Sequence, residues 1–386
     1  MLLNRNLRLT LCPIGLVVIA LPLCAFDQAR VQALQRAAML IEHHDLTAAE
    51  AALQPLLHQR ADDALALNLL GLIRVQQQKP DQAEQLFHQA IESDTRIVGP
   101  HLNLARLYAA ERPFDAIPEL KEALKLKSDN PQAESLLHTI AKQCALNAAR
   151  SGDKEKALAI LLRAREVLPQ DPELLYELGL VALESNLYQD AQKLLEQALL
   201  ARPEYHDAIY ALARAYLGQN MAKQAEEQMR KYLAAKTDDA SAQYGLGYIL
   251  MAEQKLGEAQ AAFEKSLALQ PNQTESLFQL GEIAIKQANN NAARESFVKV
   301  LSRDPHHAGA LTELGILAYR ASHYSEAKTT LGRAVASAPS YQKAHYYYAL
   351  TLTKLGDKTN ADHEFEISKS LQKSHITNPH LALTQP

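Results

Sequence analysis

The sequence predicts an all-α fold, a solenoid of antiparallel helix pairs, on three observations. Pro169, Pro203, Thr237, Pro271, Pro305 and Pro339 are each 34 residues from the next, with only Thr237 departing from proline. Ten residues after each stands a small residue, Gly179, Ala213, Gly247, Gly281, Gly315 and Ala349, and twelve further on an alanine, Ala191, Ala225, Ala259, Ala293, Ala327 and Ala361. Three constraints in one register define a repeat, and a repeat of this length cannot bury an apolar face alone, so successive copies must stack into one core.

Each repeat divides into two segments whose apolar residues recur at helical spacing, as in Leu174, Leu175, Leu178 and Val181 and then Leu194, Leu195, Ala198 and Leu199. Both segments are expected to be amphipathic helices, here helix A and helix B. The small residue is expected to let helix A approach helix B, the helix B alanine to pack into that gap, and the proline to stop helix B so that the chain turns into the next repeat.

A unit of 34 residues with a small residue after a leucine, an alanine mid-unit and a proline near the end resembles the tetratricopeptide repeat, in which each unit is a helix-turn-helix. The resemblance implies a right-handed superhelical solenoid. It extends backwards through Leu70-Gly71, Ala83, Phe87 and Ala90, through Leu104-Ala105, Tyr108, Ala116, Leu120 and Ala123 after a one-residue deletion, and through Ala145 and Ala157. Ten repeats result. Residues 26–130 hold three N-terminal ones, 131–171 a lengthened fourth, and 172–375 six regular ones. Residues 376–386 lack a helical period and are expected to be a disordered tail.

The irregular stretch has its own logic. Pro113 and Pro118 stand at the start of helix B in the third repeat, where the first is tolerated and the second is expected to bend or shorten the helix. Residues 131–137 are an insertion of close to two helical turns, which lengthens the next helix A without rotating its apolar face. Two readings stand for 113–137: a hinge, or an irregularity inside a continuous solenoid. Pro55, inside helix B of the first repeat, fits a terminal repeat acting as an atypical cap.

Residues 1–25 carry Arg5 and Arg8 and no acid, and Leu9 through Phe26 are uncharged. With Ala25 before a plausible cut ahead of Phe26, this reads as a signal peptide, and the chain as exported to a periplasmic or extracellular space. The rival reading is an uncleaved membrane anchor over residues 9–26, weakened by Pro13 and Pro22. Cys24 raises a lipoprotein site, against which Leu23 stands. Cleavage leaves Cys144 as the sole cysteine, expected to be a small buried hydrophobe, with no disulfide and no paired-cysteine zinc site.

Composition excludes more than it proposes. Net charge is −4, and loss of the two leader arginines takes it to −6, so there is no basic stripe for nucleic acid. No glycine-rich phosphate loop, G-x-S-x-G, H-E-x-x-H or C-x-x-C occurs, and the repeats leave no room for an enzymatic domain. No catalytic residue, cofactor or metal is expected. His43-His44 and His306-His307 sit in turns between helices, where adjacent side chains diverge, and are expected to be solvated.

A second periodicity concerns binding. Four residues into each regular repeat stand Tyr176, Tyr210, Tyr244, Phe278, Thr312 and Tyr346, followed one turn on by Leu180, Arg214, Tyr248, Glu282, Ile316 and Leu350, and after the next turn by Leu183, Leu217, Met251, Ile285, Tyr319 and Thr353. The resemblance implies that these positions line a concave groove. The stripe reads either as packing between neighbouring helices or as a binding channel for an apolar partner segment. The chaperone-clamping members of the family carry lysine at the stripe and asparagine one turn on, which the regular repeats lack. An envelope family with a C-terminal cysteine module also fails to match.

The reading reached is a non-enzymatic protein-interaction scaffold at the cell envelope. Its contacts are expected at Tyr176, Tyr210, Tyr244, Tyr248, Phe278, Tyr319 and Tyr346, with Arg214 and Glu282 setting polarity. The alternative is a carbohydrate-binding scaffold in polysaccharide assembly or export, against which the lack of tryptophan counts. A membrane partner arises only if the leader stays in place.

Overall fold

The computed structural model describes residues 25–377; residues 1–24 of the expected leader and 378–386 of the expected tail lie outside them, while Ala25 opens the first helix and 376–377, read as tail, end the last one. Twenty helices and no strand occur among the described residues. They form two compact units, one up to Pro203 and one from Glu204. The first holds five helix pairs: α1 (Ala25–Glu42) with α2 (Leu46–Gln59), α3 (Ala64–Gln76) with α4 (Pro80–Ser93), α5 (Val98–Tyr108) with α6 (Pro113–Leu126), α7 (Pro131–Ser151) with α8 (Lys154–Val167), and α9 (Pro172–Glu184) with α10 (Tyr188–Ala201). The second also holds five: α11 (His206–Gly218) with α12 (Ala222–Ala235), α13 (Ala240–Ala252) with α14 (Leu256–Leu269), α15 (Thr274–Lys286) with α16 (Asn290–Arg303), α17 (Ala308–Arg320) with α18 (Tyr324–Ser337), and α19 (Gln342–Lys354) with α20 (Lys358–Thr377). Within each unit, helix A packs on its own helix B, and helix B on the following helix A.

The close approach of A to B is where the sequence reading needs correcting. The helix B alanines are fully buried, but they do not fill the space over the glycines. The side chain four residues further on does. A methyl group on Gly281 would lie 2.4 Å from the Phe297 ring, on Gly247 2.7 Å from Phe263, on Gly315 2.5 Å from Leu331, on Gly71 2.4 Å from Phe87 and on Gly179 2.8 Å from Leu195. All five partners are fully buried. Glycine is required at these positions because a large side chain occupies the place where a Cβ would be.

The turn from A to B repeats as faithfully as the packing. His44, Gln78, Gly152, Asn186, Asn220, Gln254, Ala288, Ser322 and Gly356 all have positive φ. In the pair α9–α10, Asn186 N–H donates to Leu183 O at 3.0 Å and Leu187 N–H to Ala182 O at 2.9 Å, which satisfies carbonyls at the end of helix A. The prolines at 169, 203, 271, 305 and 339 lie in the B-to-A turns, as read from the sequence. Side-chain caps start many of the helices: Asp45, Asp63, Asp153, Asp171, Asp239 and Asn289 each accept a backbone N–H of the first turn.

The lengthened helix expected from the insertion is α7, with 21 residues against 13 in α9. Pro118 does not shorten α6, which keeps 14 residues like α4 and α8. Pro113 opens the helix, so Pro118 lies early in it, where its missing N–H removes a single bond to Phe114 O. Residues 113–137 sit inside the first unit.

Candidate functional site

In the second unit, the stripe residues of helix A lean on aromatic rings of their own helix B. Ring centroids are 5.2 Å apart for Tyr210 and Tyr232, 5.6 Å for Tyr244 and Phe263, 5.6 Å for Phe278 and Phe297, and 6.0 Å for Tyr346 and Phe365. Tyr210, Tyr244 and Phe278 are half-buried, and burial pushes the Tyr210 and Tyr244 phenols above their ordinary range. Phe278 is flanked on its other side by the His307 ring at 5.0 Å. Tyr319 meets Tyr324 at 5.7 Å and Tyr347 at 6.1 Å. Thr312, the non-aromatic member, is fully buried and donates its hydroxyl to Ala308 O at 2.7 Å.

Two aromatic residues stand apart in exposure. Tyr248 is 47% exposed and Tyr346 42%. Tyr346 and Phe365, with Gln342 and Lys369, border a depression of about 440 Å³ between α19 and α20. Arg214 is exposed beside this series, whereas Glu282 is half-buried. Tyr176 is half-buried on α9 and belongs to the first unit.

Glu282 is a carboxylate in a half-buried place on this face. Burial pushes its carboxyl up, the nearby Glu313 pushes it further, and one of its oxygens is buried without a hydrogen-bond partner. Glu313, itself buried, pairs with Lys343 Nζ. Burial disfavours the Lys343 ammonium, but the Glu313 contact outweighs it and holds the amine above its ordinary value. Sequence reading found Glu282 and missed Glu313 and Lys343. The available signal was separation: groups 30 or 31 residues apart, one repeat less one helical turn, meet on successive A helices.

The same register in the first three repeats carries other chemistry. Leu34, Asn68 and Leu102 replace the aromatic residues. Asn103 Nδ2 donates to Asn68 Oδ1 at 2.9 Å, and Arg106 reaches Asn103 Oδ1 at 3.3 Å and Gln132 Oε1 at 3.4 Å. Asn68 thus meets an amide of the next A helix where the second unit has ring contacts.

Among the described residues no group of three or more His, Cys, Asp or Glu side chains converges as a metal site would require. His44 occupies a positive-φ turn position and lies 3.1 Å from Gln76 Oε1. His307 departs from the expected solvated turn: it is half-buried, and its Nδ1 accepts the Ala310 N–H at 3.1 Å, capping α17. Cys144 is half-buried against the core of the first unit rather than enclosed in it, and burial pushes its thiol up. No described helix is long and apolar enough to cross a membrane.

Comparison with known proteins bears on fold first. Three models of the tetratricopeptide repeat match, one over residues 182–247 and 284–352, a second over 34–96 and 145–203, and a third over 240–273. No curated protein matches the chain. Among solved structures, the Cut9 and Hcn1 hetero-tetramer of the APC/C aligns over 93% of this chain and 84% of its own, at 14% identity and a TM-score of 0.50, a likeness of fold alone. MamA from Desulfovibrio magneticus RS-1 is 25% identical over 44% of this chain and 96% of its own, with a TM-score of 0.41. YrrB, described as a tetratricopeptide repeat protein with an unusual peptide-binding site, is 21% identical over 58% of this chain and 95% of its own, with a TM-score of 0.40.

Proposed function

We propose that this chain, which belongs to the tetratricopeptide repeat family, is a non-enzymatic scaffold at the cell envelope that holds an apolar segment of a protein partner. The binding face in this reading is the A-helix face of the second unit. The observation that carries it is the division of labour in the aromatic row. Tyr210, Tyr244 and Phe278 are half-buried against rings of helix B, while Tyr248, and Tyr346 despite its contact with Phe365, keep exposed rings that a partner can cover. Tyrosine suits that role because it offers apolar area and a hydroxyl at small cost in rotamer freedom. Arg214 and Glu282 would set the polarity of the bound segment.

The direct test is selection of displayed peptides on the purified chain, with a glycan array in parallel. The expected outcome is a family of peptides with an apolar anchor whose binding falls by about 1–2 kcal/mol in Tyr248→Ala and in Tyr346→Ala. Glycan binding without peptide binding would favour a carbohydrate scaffold instead. Export is tested by sequencing the N-terminus of the native protein: a start at Phe26 is expected, and a start at Met1 in a membrane fraction would favour the anchor.

A further inference from the structure

We propose that His138 is a proton-operated latch that fastens the lengthened helix α7 to the first turn of α9 within the first unit. The inference is independent of what the second unit binds. His138 projects from the part of α7 just beyond the inserted turns. Its Nε2 lies 2.9 Å from Asp171 Oδ1 and its Nδ1 3.3 Å from Glu173 Oε2. Asp171 Oδ1 also caps α9, accepting the N–H groups of Glu173 at 3.0 Å and Leu174 at 2.9 Å. Glu173 Oε1 accepts from Arg202 Nη2 at 3.3 Å. Beneath these polar groups, Leu137 and Ala141 of α7 and Leu174 and Leu178 of α9 share one core.

The chemistry follows from the ring. An imidazolium has two N–H groups and a positive charge, while a neutral imidazole has one N–H and one lone pair. Only the protonated ring can serve two carboxylates together. On deprotonation one carboxylate faces a lone pair, and the bridge is reduced to a single neutral contact. Nε2 makes no well-directed hydrogen bond, so charge holds that side of the bridge.

The charged groups acting on His138 are Asp171 from the link before α9, Glu173 from α9 and Glu134 from α7 itself; Arg202 engages Glu173 from behind, and Lys142 one turn on faces Glu177. Asp171 foremost, against the opposing pull of burial, holds the imidazolium above its ordinary value of 6.5. The folded value is raised, so the bridge is complete below pH 6.5 and is lost as pH rises through the folded value.

The test is amide hydrogen exchange of the whole chain from pH 6 to 9, corrected for intrinsic rates, with the His138 ring followed by NMR. Protection over residues 171–176 is expected to fall as pH rises, by up to about tenfold per pH unit that separates the latched and open imidazole values, while α3 stays level. The midpoint should coincide with the His138 titration. His138→Gln should show the high-pH level at every pH, and Glu173→Gln, a surface change, should move the His138 titration to lower pH with helicity intact. A His138 ring titrating at or below 6.5, or protection that falls equally in wild type and His138→Gln, would overturn the latch. Should His138→Gln not fold, the wild-type titration and Glu173→Gln decide alone.

Discussion

The two compact units are built on one repeat and spend it differently. The second unit keeps the 34-residue step throughout and places an aromatic residue at the stripe position of most A helices, each backed by a ring on helix B. The first has a deletion, an insertion and two helix-interior prolines, and its first three repeats hold Leu34, Asn68 and Leu102 in place of the aromatic residues. The lock between helices survives in both, since Gly179 faces Leu195 as Gly281 faces Phe297. What varied is therefore the surface chemistry and the spacing, while the A-to-B packing that stabilises a repeat stayed constant.

The largest effect should come from the lock itself. Phe297→Ala is expected to destabilise by about 3–5 kcal/mol and Leu195→Ala by about 2–5 kcal/mol in urea denaturation. Adding Gly281→Ala to the first and Gly179→Ala to the second should recover part of each loss, because a methyl group then fits the vacated space. Recovery in one unit but not the other would break the claim of a common lock.

A second comparison separates packing from binding along the aromatic row. Tyr210→Ala, Tyr244→Ala and Phe278→Ala should each cost about 1–3 kcal/mol of stability through lost ring contacts. Tyr248→Ala and Tyr346→Ala should stay within about 1 kcal/mol, with their main effect on affinity. Equal stability losses at all five would return the whole stripe to packing.

Acid should distinguish the first unit through Asp63, which is buried, pairs with Arg30 and caps α3 by accepting the Ala66 N–H at 3.2 Å. Burial disfavours its charge, but Arg30 and the helix N–H groups hold the carboxyl below its ordinary 3.8. A lowered folded value means that the contribution is present above 3.8 and lost as pH falls through the folded value. Asp63→Ala is expected to cost about 1–2 kcal/mol at neutral pH, with the difference from wild type shrinking in acid melts. The smallest effect concerns the turns. Ala288 holds φ at 58°, so Ala288→Gly should raise stability by about 1 kcal/mol in a thermal melt.

Much of this was legible in the chain. Prolines, small residues and alanines recurring at 34 gave both the helix pairs and the B-to-A turns, because each marks a steric requirement that few residues meet. The partner of each glycine was less visible: Phe263 and Leu195 are ordinary core residues one turn past the alanine, and the alanine drew attention because it recurs. The A-to-B turn went unmarked because seven of its nine positive-φ positions hold residues other than glycine. Contacts between repeats, such as Glu313 with Lys343 or His138 with Asp171, join residues about thirty positions apart and depend on which faces the stacking brings together.

The measurement that bears most directly on the scaffold reading is site-specific photocrosslinking in living cells. A photoreactive residue replaces Tyr248 on helix A, with exposed Glu227 on α12 as the control. A single crosslinked protein at 248, absent at 227 and lost when Tyr346→Ala is added, is the expected result. Equal labelling at both positions, or a species at 248 indifferent to Tyr346→Ala, would contradict binding along the aromatic face.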